Sequence, residues 1–199
     1  MSDDKTSENK GQFYEFKFKK YLDNSGISFL YIDQDYGSQA ANFANSDIKR
    51  PDFLIYLHCI GHIFIDVKSR TKIPYEHENQ DSTFYLSANE IDSLFLVQSS
   101  MFLPLWIAFV EIDKDIKFSQ DIRKIINNHE TLEPVFYLVP ITTIKNYKDR
   151  IQKSIKKQSD VQEIFKHLFV RIPMQYCKKL TEDSSMFTVN NTISFKNIE

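Results

Sequence analysis

The 199-residue sequence has only two cysteines, four glycines, six prolines and one tryptophan, and each scarcity excludes something. Cys59 and Cys177 are too few for a disulfide framework, and neither belongs to a Cys-x-x-Cys pair or a Cys/His cluster of zinc-like spacing. Structural zinc and thiol redox catalysis are thereby set aside. The low Gly and Pro content excludes collagenous and linker-type chains, and 42% hydrophobic residues exclude a disordered tail. Long apolar runs are missing as well: Met101 to Ile112, the longest, falls short of the roughly 20 residues a membrane helix needs. Residues 1–10 are polar and lack an apolar stretch of signal-peptide type. The expectation is a cytoplasmic protein with no membrane partner.

Charge of one sign is also scarce overall, with a formal net charge of −2, but it is unevenly distributed. Between Thr143 and Leu180 stand ten Lys/Arg and three acids, a local excess of +7 that leaves −9 for the rest of the chain. No tandem repeat divides the sequence, and its length suits one domain. We expect a disordered tail over residues 1–10 and a single domain over 11–199, with a core at 11–112 and an extension at 113–199.

Hydrophobic periodicity orders the elements. Gly11 to Leu22 sets Tyr14, Phe18, Tyr21 and Leu22 on one helical face, and Asn24 to Gly26 supplies a stop. Ile27 to Ile32 reads as a buried strand, followed by a polar loop to Arg50. Phe53 to Cys59 and His62 to Lys68, separated by Ile60-Gly61, read as an antiparallel hairpin, and Lys72 to Asp81 as a loop. Ser87-Ala88-Asn89-Glu90 has the Ser-x-x-Glu form of a capping box, predicting a helix to about Ser100 with Ile91, Leu94, Phe95 and Gln98 facing inward. Leu105 to Ile112 is another strand. Beyond it we expect a helix near 120–127, a strand at 135–139, basic helical turns from 144 to 157, a helix at 161–167, and a strand at 168–172 halted by Pro173.

One constellation carries chemistry. Pro51-Asp52 opens the first hairpin strand and Asp66-Val67-Lys68 closes the second, so antiparallel pairing returns Asp66 and Lys68 to the neighbourhood of Asp52. Asp66 and Lys68 share one face, because strand side chains alternate. Two carboxylates completed by phosphate oxygens and water are preferred surroundings of Mg²⁺. Taken singly, Asp52 reads as a turn residue and Lys68 as a solvated strand end. Asp66 is different: it follows Ile63-Phe64-Ile65 in a strand expected to be buried on both faces, where an acid needs a partner.

Pro51-Asp52 followed by Asp66-x-Lys68 resembles the motif of the PD-(D/E)xK nuclease superfamily, which includes many restriction enzymes and Holliday-junction resolvases. The resemblance implies an α/β, restriction-endonuclease-like αβββαβ core, a mixed central sheet flanked by helices, here with a C-terminal α/β extension. It implies Mg²⁺ (or Mn²⁺) bound by Asp52 and Asp66, Lys68 orienting the attacking water, and Glu15 on the first helix as an outer or second-metal ligand. Some members carry a Gln-x-x-x-Tyr element on the second helix; here Gln98 is followed by Phe102, and Gln98 is an accessory candidate. Arg50, Arg70 and Lys72 near the motif, and Lys145, Lys148, Lys153, Lys156 and Lys157 in the basic stretch, are candidate nucleic-acid contacts. His58 and His62 flank the far end of the hairpin and read as structural, and nothing in the spacing assigns His77 or Glu78 a role.

The function expected is therefore a metal-dependent nuclease acting on DNA in preference to RNA, with a homodimer consistent with the resemblance. A nucleic-acid or protein-binding module on the same fold, without catalysis, is the alternative. An assembly protein with an aromatic-rich surface is the third reading.

Overall fold

The computed structural model describes residues 2–32, 50–57, 61–70, 83–156 and 169–180. In chain order these form α1 (Ser2–Asn24), β1 (Phe29–Tyr31), β2 (Phe53–Leu57), β3 (Gly61–Arg70), β4 (Thr83–Ser87), α2 (Ala88–Met101), β5 (Leu105–Glu111), α3 (Ile122–Asn128), β6 (Phe136–Pro140), α4 (Ile141–Lys156), β7 (Phe169–Pro173) and β8 (Lys178–Lys179). The loops expected at 33–49 and 72–81 and the helix expected at 161–167 lie outside the described residues, as do His58, Cys59, His77 and Glu78. Among the described residues no helix is long and apolar enough to cross a membrane.

Six strands form one mixed sheet in the order β1-β2-β3-β5-β6-β8. β1, β2 and β3 are antiparallel neighbours, whereas β3 and β5 run parallel. A parallel pair needs a crossover, and α2 lies within it. Leaving aside β4, which pairs elsewhere, the run α1-β1-β2-β3-α2-β5 has the αβββαβ order expected from the sequence, in a mixed sheet flanked by helices. β6 and β8 continue the same sheet beyond β5, so the C-terminal extension is built onto the core's own edge.

Alternation along β3 divides the core into two layers. Ile63, Ile65 and Val67 join the cluster under α1, where Phe13, Tyr14, Phe18 and Leu22 are fully buried. Each such side chain contributes about 1.5–3 kcal/mol of hydrophobic stabilisation. Phe64 joins the opposite cluster, with Ile91, Leu94 and Val97 of α2, Ile141 and Ile144 of α4, and Phe84, Leu86, Val170 and Ile172. Those last four come from β4 and β7, which pair antiparallel as a separate two-stranded ribbon.

Several local features differ from the sequence reading or add to it. The tail expected over residues 1–10 is instead the first part of α1, and its Asn9 side chain donates to the carbonyls of Phe118 and Gln120 at 3.0 and 2.8 Å. Those distant carbonyls give a polar segment a reason to stay helical. β4 falls between the loop expected at 72–81 and the cap at Ser87, where the sequence reading assigns no element, and β8 adds an unforeseen edge strand. Ser87 does cap α2, its hydroxyl accepting the Glu90 N–H at 3.1 Å. Gln98, expected inward, lies at the half-buried edge of the helix beside buried Val97.

Candidate active site

The hairpin register builds the site. Phe53 pairs with Ile65, so Asp52, one residue before β2, stands next to Asp66, one residue beyond Ile65. Two backbone contacts fix it there: the Asp52 N–H donates to the Ile65 carbonyl at 3.0 Å, and the Val67 N–H donates to Asp52 Oδ2 at 2.6 Å. Asp66 and Lys68 lie on the β3 face opposite Ile65 and Val67, and Arg70 continues that row. Neighbouring β5 covers the strand, with Ile107 opposite Asp66 and Phe109 opposite Lys68. Asp66, Asp52 and Lys68 consequently retain only 0%, 3% and 7% of their exposure.

Buried charge of this density needs compensation. Lys68 Nζ forms a close ion pair with Asp66 Oδ2 and lies 3.7 Å from Glu90 Oε1. Burial alone would lower the Lys68 pKa; the charges of Asp66, Asp52 and Glu90 outweigh it and hold the ammonium above its ordinary value. Lys68 is therefore a cation here and not a base. The Asp52 carboxyl is raised well above the usual range, first by burial and then by the Asp66 charge, against the opposing pull of Lys68; Glu15 raises it further and the Val67 N–H lowers it.

Asp66 carries the least satisfied atoms in this cluster. Apart from the ion pair to Lys68, neither of its buried carboxylate oxygens accepts a hydrogen bond from the described residues. A fully buried carboxylate that meets one ammonium and no other described donor has room for a further cation or water. A hard divalent ion fits the donors present, because Mg²⁺ keeps several waters and needs only one or two protein carboxylates. Among the described residues no three His, Cys, Asp or Glu side chains group closely enough to hold a metal. Glu15 is near enough to the pair for its charge to act on Asp52. It stands at the rim, where the Tyr31 hydroxyl donates to its Oε2 at 2.8 Å.

Several other expected residues fall elsewhere. Gln98 Oε1 accepts the Leu105 N–H at 3.0 Å, tying the end of α2 to the start of β5. It lies eight residues beyond Glu90, about 12 Å along the helix. Lys145 is ion-paired with Asp149 at 2.6 Å and with Asp92 at 3.7 Å, and buried Lys148 bonds Asp92 and the Ala88 carbonyl. Both lysines link α4 to α2. Arg70 bonds Glu90 at 3.2 Å and the Tyr85 carbonyl at 3.3 Å, while Arg50 lies half-buried just before Asp52. Lys153 and Lys156 fall in the last turns of α4, whose side chains lie outside the described set, as do Lys72 and Lys157 altogether. His62, as expected, is away from the acids, its ring 5.2 Å from that of Tyr56.

Sequence reasoning missed Glu90 as a site residue. Its capping-box position signalled only a helix start. The further signal was topological: a helix crossing between parallel neighbours β3 and β5 can begin beside the end of β3.

No protein-family model and no curated protein matches the chain. Among solved structures it is similar to Hjc, a Holliday junction resolvase from Archaeoglobus fulgidus, at a TM-score of 0.39 and 15% identity over 66% of this chain and 78% of that one. It is the arrangement of Asp52, Asp66 and Lys68 that bears on chemistry.

Proposed function

We propose that this chain is a Mg²⁺- or Mn²⁺-dependent nuclease of PD-(D/E)xK type that hydrolyses phosphodiester bonds in DNA. The observation that carries the reading is the fully buried Asp66 carboxylate, held by the charged Lys68 and set beside buried Asp52. Asp52 and Asp66 would hold the cation, which when bound polarises a phosphate and acidifies a water. Glu15 would act through an intervening water.

The chain's own groups divide the remaining work. Lys68 supplies a fixed positive charge to offset the charge that develops on the phosphorane, a role suited to a buried, preorganised ammonium. Glu90, itself ion-paired with Arg70, holds Lys68 by its charge, limiting the positions the ammonium can take. The Val67 N–H keeps Asp52 aimed at the same point as Asp66. DNA as the substrate and a homodimer that cuts two strands belong to this proposal.

Incubation of purified protein with labelled DNA in Mg²⁺ should give cleavage that EDTA, Asp66→Asn or Lys68→Ala removes. Metal-dependent cleavage persisting in both variants would overturn the assignment. A binding module without catalysis is favoured by one observation, the complete burial of Asp66. That reading expects DNA binding without turnover at any divalent metal concentration.

A further inference from the structure

The row Asp66, Lys68, Arg70 on β3 does not end at the cluster of charges. The Arg70 guanidinium stacks over the Tyr85 ring at 5.7 Å, and Tyr85 meets Phe169 edge to face at 5.4 Å and 88°. Tyr85 belongs to β4 and Phe169 to β7, and these strands bury Phe84, Leu86, Val170 and Ile172 on their inner face. Alternation therefore turns Tyr85, Phe169 and Arg171 outward. Phe169 keeps 61% of its surface exposed, and Arg171, directly opposite Tyr85, is exposed too.

A single exposed phenylalanine is ordinary on a protein surface. This one ends a continuous series of contacting groups that begins at Arg70, two residues from Lys68. Aromatic rings interleaved with guanidinium groups are the surface on which unstacked bases settle, since every base offers a flat face and every nucleotide a negative charge. The geometry points to the outer face of the β4–β7 ribbon as a platform for unpaired bases of a DNA strand whose backbone runs on to Asp66 and Lys68. This inference rests on the nuclease reading and gives it a substrate class: DNA with single-stranded character next to the cleaved bond.

The test uses full-length protein carrying Asp66→Asn, so that binding is read without cleavage, and a fluorescein-labelled thymidine oligomer of about 15 nucleotides. Adding Phe169→Leu, which keeps an apolar strand residue but removes the ring, should weaken oligomer binding about tenfold. Binding of a duplex of the same length should change less than about twofold, because its bases stay stacked. Phe169→Trp should restore the affinity, and the new indole fluorescence should be quenched on binding relative to protein with Phe169. Unchanged affinity in Phe169→Leu, equal losses for oligomer and duplex, stronger binding of the matching RNA oligomer, or no binding by the parent would each overturn the platform. Cleavage by the wild-type chain is scored separately. Cleavage with no effect of Phe169 removes the platform alone, whereas an effect of Phe169 on binding in a chain that never cleaves removes the nuclease reading and leaves a single-strand binding face.

Discussion

The N–H of Val67 donates to the Asp52 carboxylate at 2.6 Å, so the residue between Asp66 and Lys68 in sequence is the one that holds Asp52 beside them. The motif is thus a single backbone-anchored unit. Three side chains, two of them on one strand, are aimed by one hairpin register.

Asp52 should lower stability when it ionises. Its folded-state pKa is raised, chiefly by burial and then by Asp66, so the folded chain holds that proton more tightly than the unfolded chain does. The associated stability is complete below the ordinary carboxyl value of about 3.9 and is lost as pH rises through the folded-state value. Asp52→Asn removes this loss, and its amide oxygen can still accept the Val67 N–H. Without divalent metal, the variant should melt above the parent at neutral pH, by roughly 2–4 °C for each kcal/mol regained. The gap should close as pH falls toward 4. Differential scanning fluorimetry across pH reads both effects, and a variant less stable than the parent at neutral pH would count against this electrostatic picture.

Removing the cation from the same cluster should act in the opposite direction. Lys68→Met leaves Asp66 buried without its ion-pair partner and should cost about 3–5 kcal/mol in urea unfolding. Combining it with Asp66→Asn should recover much of that loss, because the two residues are directly coupled. Additive losses in the double variant would mean that the pair contributes little.

Gln98→Ala should lower stability by about 1–3 kcal/mol through the freed Leu105 N–H. Its metal affinity and turnover should stay at parental levels. A turnover defect larger than the stability loss explains would restore Gln98 to the site.

Lys148→Met should destabilise the α2–α4 contact without altering how DNA affinity responds to salt. A lysine on phosphate would, when removed, reduce the slope of log K against log[salt] by about 1. Fluorescence anisotropy over a salt series distinguishes the two roles.

The αβββαβ order was legible because its strands are short apolar runs with polar or Gly/Pro boundaries, and because Tyr14, Phe18 and Leu22 keep helical spacing. The hairpin was legible from two such runs with Gly61 between them, and Asp52, Asp66 and Lys68 came with it. What stayed hidden depends on distant partners. β4 pairs with β7, more than 80 residues away, and its TFYLS sequence runs directly into a helix cap. Residues 2–10 have no apolar stripe, and Asn9 finds its acceptors on the far side of the fold. Composition counts the charges of Lys145 and Lys148 but does not show that both pair with Asp92 on a different helix.

The most direct measurement is Mn²⁺ binding to the purified chain, followed by electron paramagnetic resonance as free ion disappears. Saturable binding to the wild-type chain is expected, weakened at least tenfold in Asp66→Asn and in Asp52→Asn while both variants remain folded. Binding that is absent from the wild type, or unchanged in both variants, would contradict a cation site built on these two aspartates.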